Sequence, residues 1–212
     1  MAIASGSRHS MGYIAEASYG VTPNTPAFKA IRHSSSTLGL SKESIQSNEL
    51  RSDRQIADFR HGNKSITGDI GLELSYGSFD DLLEAVLGGT WAADTPSAGI
   101  DQLKAGVVRR SFSIERHFED VTQYLRFTGV NFNTLSLSVA PNAMVTGTLG
   151  MIGQGMTTAT TAITGATYPA ATTSTPFDSF TGSVNENNGA IAVITDLSIN
   201  LDNGMNTMNV VG

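Results

Sequence analysis

Carboxylates are the first candidates for chemistry in this chain. Asp69, Glu73, Asp80, Asp81 and Glu84 crowd into sixteen residues of "DIGLELSYGSFDDLLE". Paired carboxylates run glycoside hydrolysis when their carboxyl groups sit ~5–9.5 Å apart. Asp69 and Glu73 fall on one face of an alternating strand. At ~3.3 Å per residue they lie about 13 Å apart, too far for such a pair. Asp80 and Asp81 open a helical pattern, where acidic groups complement the helix dipole by ~0.3–1 kcal/mol each. Ser78 and Asp81 have capping-box spacing, and Gly88 or Gly89 supplies a left-handed stop. The acidic group therefore reads as scaffold.

Other chemistries fare no better. His9, His33, His61 and His117 show no metal-ligand spacing, and there are no cysteines. Thiol nucleophiles, disulfides and cysteine-ligated metals are excluded. No Gly-x-Ser-x-Gly elbow occurs. "GMIGQG" (150–155) has no Lys and opens no helix, so it is a poor phosphate loop. No cofactor is implied. What remains is a run of alternating charge over residues 41–65, with Glu43, Glu49, Arg51, Asp53, Arg54, Asp58, Arg60 and Lys64. Ile45, Leu50, Ile56 and Phe59 are scattered through it. A solvated face and a docking element for another subunit explain this composition equally well.

The elements that must carry these residues are mostly short alternating runs. Ile66, Ile70, Leu72, Leu74 and Tyr76 share one face of "SITGDIGLELSY", opposite Thr67, Asp69, Gly71, Glu73 and Ser75. Phe112, Ile114 and Phe118 form a second face, and Leu135, Leu137 and Val139 a third. Leu197, Ile199 and Leu201 form a fourth, opposite Asp196, Ser198, Asn200 and Asp202. "APNA" (140–143) joins one hairpin, and "DNG" (202–204) is read as joining "LSINL" to a strand in "MNTMNVV". One helix is expected, over residues 78–87, with Leu83 and Val86 facing the sheet. Residues 1–12 read as a mobile arm, 41–65 as a long charged loop and 153–189 as a Thr- and Gly-rich loop region. The expected fold is mainly β: a β-sandwich or half-barrel of antiparallel strands, one flanking helix and long loops, in a single domain over 1–212.

Composition sets outer limits. The chain has 212 residues, 22 of them Gly, and a net charge of −6. A duplex-binding protein would normally be basic, so attraction to DNA phosphates is not expected. No apolar run approaches the ~20 residues of a membrane span. "MAIASGSRHSMGY" lacks the apolar core of a secretory signal, so a protein made and used without export is expected, and the Asn63 glycosylation triplet is accidental.

Several segments carry a resemblance. "GYIAEASYGVTP" is similar to the N-terminal segment of tail tube proteins from long-tailed, non-contractile bacteriophages. So are "NELRSDRQIADFRHGNKSITGDIGLELSYGSFDDLLEAVLGGTW" and "ATYPAATTSTPFDSFTGSV". "LSLSVAPNAMVTGTLGMIGQGM" and "ITDLSINLDNG" resemble that family's hairpins. Residues 48–91 are the most specific part, because they join charged loop, strand and helix in order.

The resemblance implies a structural virion protein without catalysis. Hexameric rings stack into a hollow conduit for DNA ejection, and inner strands from six subunits close a continuous barrel. Double-stranded DNA passes without specific binding, and no membrane is involved. Partners implied are further copies of the chain, a tape-measure protein, a tail terminator and distal tail proteins. The virion tail is the location, with assembly in the host cytoplasm. Inter-subunit candidates are Glu43, Glu49, Arg51, Asp53, Arg54, Asp58, Phe59 and Arg60. Lumen-facing candidates are Asp69, Glu73, Asp196, Ser198, Asn200 and Asp202. Two rivals stand beside this: a β-sandwich ligand- or carbohydrate-binding adhesion module, with Trp91 as its one tryptophan, and a hydrolase with a spatially assembled site.

Overall fold

The structure is a computed structural model, described here for residues 8–49, 52, 58–181, 185–186, 189–190 and 195–208. It is mainly antiparallel sheet with one helix, and the sheet does not close on itself. One long strand organises it. β7 (Gln123–Val139) runs through two sheet halves. Its N-terminal part pairs with β6 (Phe112–Phe118) and β9 (Gly155–Ala159). Its C-terminal part pairs with β8 (Thr146–Gly153) and β12 (Leu197–Asp202). β1 (His9–Ala15) and β2 (Lys29–Ala30) extend the first half beyond β6. β5 (Phe59–Glu73) extends the second beyond β8, edged by β3 (Ser35–Ser36) and β4 (Gly39–Gln46). β10 (Asn185–Glu186) and β11 (Gly189–Ala190) form a separate two-stranded pair.

Both halves supply one core. Met11, Tyr13, Phe112, Ile114 and Phe127 come from the first, and Ile66, Ile70, Leu72, Leu149 and Met151 from the second. Each such side chain, fully buried, contributes roughly 1.5–3 kcal/mol of transfer free energy. The Phe112 and Phe132 rings meet edge to face at 5.5 Å. Arg116 of β6 crosses to donate to the Leu38 carbonyl, ahead of β4. That approach leaves no room beside Gly68 (φ 153°): a Cβ there would sit 2.4 Å from Leu38 Cα.

Helix α1 (Asp80–Leu87) covers the core between the halves with Leu82, Ala85 and Val86 buried and Leu83 partly so. Gly88 ends it in the left-handed conformation, φ 61°. The expected Ser78 cap is absent. Phe79 takes the cap position, and the Ser78 hydroxyl is spent on Ser75 and Thr172.

Five other expectations need correction. Residues 9–12 are strand, not arm, with Met11, Gly12 and Tyr13 all buried; residues 1–7 lie outside the described residues. Residues 41–46 and 59–65 are the arms of the β4 and β5 hairpin, so the long charged loop is largely two strands. Residues 155–159 of the Thr- and Gly-rich segment pair with β7, and Thr167 and Asp178 make further bridges to the body of the fold. After β12, residues 205–208 form no strand. The Met205 N–H instead donates to the Asn133 side chain, and Asn203 Nδ2 donates to the Val86 carbonyl at the helix end. Tyr76 does not share the core face of β5. It lies past the strand end and is 78% exposed, while Ser75 is buried.

Candidate functional site

Two carboxylates of the opening stretch, Asp81 and Glu84, are tied into the scaffold. Asp81 accepts from the Tyr13 hydroxyl and from Lys29, which fixes the helix start to β1 and β2. Glu84 accepts the Trp91 N–H at 2.7 Å and pairs with Arg110 at 3.4 Å. Burial, and then the charge of Asp81, raise the Asp80 carboxyl above its ordinary range. Asp69 and Glu73 are exposed on β5 and face outward. Among the described residues no group of three or more His, Cys, Asp or Glu could hold a metal ion, and no helix is long and apolar enough to cross a membrane.

Two histidines do meet, in a structural chain. Arg116 Nε donates to His9 Nε2 at 3.1 Å. His9 Nδ1 lies 2.9 Å from His33 Nε2, and His33 Nδ1 3.1 Å from the Ile31 carbonyl. With Arg116 as donor, both rings satisfy every contact when neutral, each passing one N–H onward. Burial, then the Arg116 charge, lowers His9 to about 4. Burial likewise lowers Arg116.

Sequence reasoning missed two clusters, one buried and one partly buried. Glu115 is 2% exposed on the face of β6 that alternation would call solvent-facing. It accepts from Arg126 Nε at 2.5 Å and from the Tyr168 hydroxyl at 2.6 Å. Tyr168 in turn stacks on Phe28, and the segments bearing them bond to each other through Phe28 N–H and the Thr167 carbonyl. Burial, and then the bond to Glu115, raise the Tyr168 phenol well above its ordinary range. Glu16 accepts from the N–H of Gly20 and Gly129 and from the hydroxyls of Ser111 and Ser113. No local pattern marks either cluster, because Tyr168 in one and Ser111, Ser113 and Gly129 in the other lie far off in the chain.

The surface that stands out is one face of the second half. Register places Asp202, Thr134, Gly150 and Asp69 in one row across β12, β7, β8 and β5. Asn200, Ser136, Thr148, Gly71 and Ser35 form the next, and Ser198, Ser138, Thr146 and Glu73 a third. Directly opposed residues of an antiparallel sheet point to the same side. The two expected acidic faces are therefore one. It holds small polar residues and three carboxylates, with no Lys, Arg or aromatic in these rows. Asp196 precedes β12 by one residue and is exposed. The reverse of β5, β7 and β8 packs on the core, and of β12 only Leu201 does.

Both edges of this half are open among the described residues: β12 pairs with β7 alone, and β4 with β5 alone. Leu197 and Ile199 of β12 stand 37% and 52% exposed. The β4 and β5 hairpin reaches past the core with Glu43 and Phe59 exposed and Arg60 paired to Asp58 at 2.7 Å. Glu49 is exposed just after β4. Arg51, Asp53 and Arg54 lie outside the described residues.

Among the described residues, then, the prominent surface is a small-polar sheet face with open edges. Residues 6–212 match the family model described as phage tail tube protein, and the chain belongs to that family. It is a structural component of phage tails and not an enzyme. No curated protein matches the sequence. Among solved structures, the tube-terminating cap of the anti-feeding prophage resembles it at 11% identity and TM-score 0.48, covering 76% of this chain and 93% of that one. A chain from the virion of a native gene transfer agent particle does so at 9% and 0.48, covering 74% and 99%. A chain from the tail of an empty gene transfer agent particle, computed with helical refinement, gives 10% and 0.46, covering 74% and 98%.

Proposed function

We propose that six copies of the chain close a ring through the open edges of the second half, and that rings stack into a hollow tube whose polar face lines the channel. The carrying observation is that face itself: three rows of small polar residues and carboxylates, bounded on both sides by strand edges that are unpaired among the described residues. An exposed strand edge is a hazard for a lone subunit and is removed by pairing with a neighbour. A duplex moving along fixed Lys or Arg rows would bind them and release counterions. A wall of Asp69, Glu73, Asp196, Ser198, Asn200 and Asp202 repels phosphate and leaves water between wall and DNA. Assembly occurs in the host cytoplasm, with tape-measure, terminator and distal tail proteins as partners and ejected DNA as passenger.

Negative-stain imaging of the purified protein tests the assembly. Hollow tubes or six-fold rings are expected, and monomers dispersed at every concentration overturn the reading. Lys replacements at Asp69 and Glu73 should leave tubes intact and slow DNA ejection, timed by dye uptake into released DNA at fixed salt.

A further inference from the structure

The roof over the first half is built differently from the sheet beneath it. None of residues 160–181 is buried, whereas Phe112, Ser113, Ile114 and Glu115 of β6 all are. The roof is attached at two places. At the first, the Tyr168 hydroxyl donates to Glu115, and Arg126 Nη2 donates to the Thr161 carbonyl. There the Thr167 N–H also donates to the Pro26 carbonyl, and the Phe28 N–H donates to the Thr167 carbonyl. At the second, the Thr172 and Ser78 hydroxyls meet at 2.5 Å, and the Ser174 hydroxyl donates to the Tyr76 carbonyl. Arg32 donates to the Ser174 carbonyl. Phe177 then bonds through its N–H to Leu74 and through its carbonyl to Val145, next to the ends of β5 and β8. Between the two places Pro169, Ala170 and Ala171 make no hydrogen bond to the described residues. They arch over two cavities, of about 470 and 270 Å³, that share Ala30 in their lining.

The first attachment releases without stranding a charge. Glu115 is buried, but its cation is Arg126, its direct cross-strand partner on β7. Both remain with the sheet when the roof lifts. Removing one partner of a buried ion pair is severe, whereas here the pair is kept and the Tyr168 hydroxyl is exchanged for water. The hydrogen bonds of Thr161 and Thr167 are exchanged for water at residues already exposed. Phe28 loses a stacked ring and keeps its seat on Gly12, where a Cβ would stand 3.1 Å from Phe28 Cβ. A segment with few buried apolar groups and exposed hydrogen bonds belongs to the low end of local stability. The second attachment is firmer, since Phe177 is bonded on both sides between two strand ends.

We infer that residues 161–171 form a lid that lifts from β6 while the sheet stays folded, pivoting on residues 172–174 and on the end of β9. The lifted state opens the larger cavity, with Glu115 and His117 in its lining, to solvent. It is a minor state, and the closed lid is the resting one.

Amide hydrogen exchange of the full chain, resolved to single residues and corrected for intrinsic rates, tests this. One lifting event frees both the Thr167 and the Phe28 amide, so the two should show equal protection. Both should exchange about a hundredfold faster than the Phe177 and Val145 amides, which the second attachment retains. Tyr168→Phe should speed exchange at Thr167 and Phe28 about tenfold and leave Phe177 and Val145 unchanged. Equal protection at all four amides overturns the lid, because the roof then opens only together with the strand ends. Unequal protection at Thr167 and Phe28 overturns the single lifting event. A Tyr168→Phe effect spread evenly over all four amides overturns the role given to the phenol. If that variant does not fold, the protection pattern of the parent still decides.

Discussion

The two halves joined by β7 treat their outer faces in opposite ways. On the first half the side of β6 away from the core is roofed. Phe28 and Tyr168 lie across it, and Glu115 beneath them is buried with its ion pair. On the second half the corresponding side, from β12 to β5, is bare and carries exposed Asp69, Glu73, Asn200 and Asp202. The same chemistry, a carboxylate on an outward strand position, is thus a sealed structural element in one half and a solvated surface in the other. A roofed half completes its packing within one chain. An unroofed half, with strand edges open among the described residues, does not.

The sharpest way to break this contrast is at the roofed carboxylate. Arg126→Ala leaves Glu115 charged and buried without its cation, which should cost about 3–5 kcal/mol. Urea unfolding measures it. A loss no larger than that of an exposed ion pair would mean water reaches Glu115 and the roof is not a seal.

Acid probes the same half at its histidine chain. His9 is held near 4 when folded, below its ordinary 6.5. A depressed histidine favours the fold while neutral, so its contribution is complete above pH 6.5 and is lost as pH falls from 6.5 toward 4. Allowing for solvent screening of a half-buried ring, the loss should be about 1–2 kcal/mol. Thermal melts of the parent and of His9→Gln across that window check it, with a shallower decline expected in the variant.

The smallest effect belongs to the bare face. Ser136→Ala with Thr148→Ala should move subunit stability by no more than about 0.5 kcal/mol. A larger loss in calorimetry of the monomer would show that the face is braced within one chain, and the distinction between the halves would disappear.

This contrast also explains what the sequence could show. β5 was legible because only one of its faces is buried, so Ile66, Ile70 and Leu72 alternate with polar residues. The helix was legible from its apolar spacing and Gly88. β1 was not, since Met11, Gly12 and Tyr13 are all buried and two-sided cover erases alternation. β4 failed for the reverse reason: past the core neither face is buried, and its residues read as a loop. The mistaken Ser78 cap and the strand expected after "DNG" both fell to distant partners, Thr172 for one and Asn133 for the other. That the two acidic faces are a single surface depends on register between strands far apart in sequence, which one strand's pattern does not contain.

The sharing of β7 also bears on the order in which the chain folds. β7 and β8 are joined by a short turn, and their pairing closes almost no loop. β1 is made first, yet its partner β6 arrives about half the chain length later, with His9 opposite Phe118. Closing so long a loop costs entropy before any contact repays it, and such non-local pairings slow folding. The bare half can therefore nucleate on the β7 and β8 hairpin while the first strand still waits. During that interval Phe127, Phe132 and Leu149, destined for the shared core, lack their cover from β1. A crowded cell making many copies at once would meet its greatest aggregation risk at that stage, before the last strand docks.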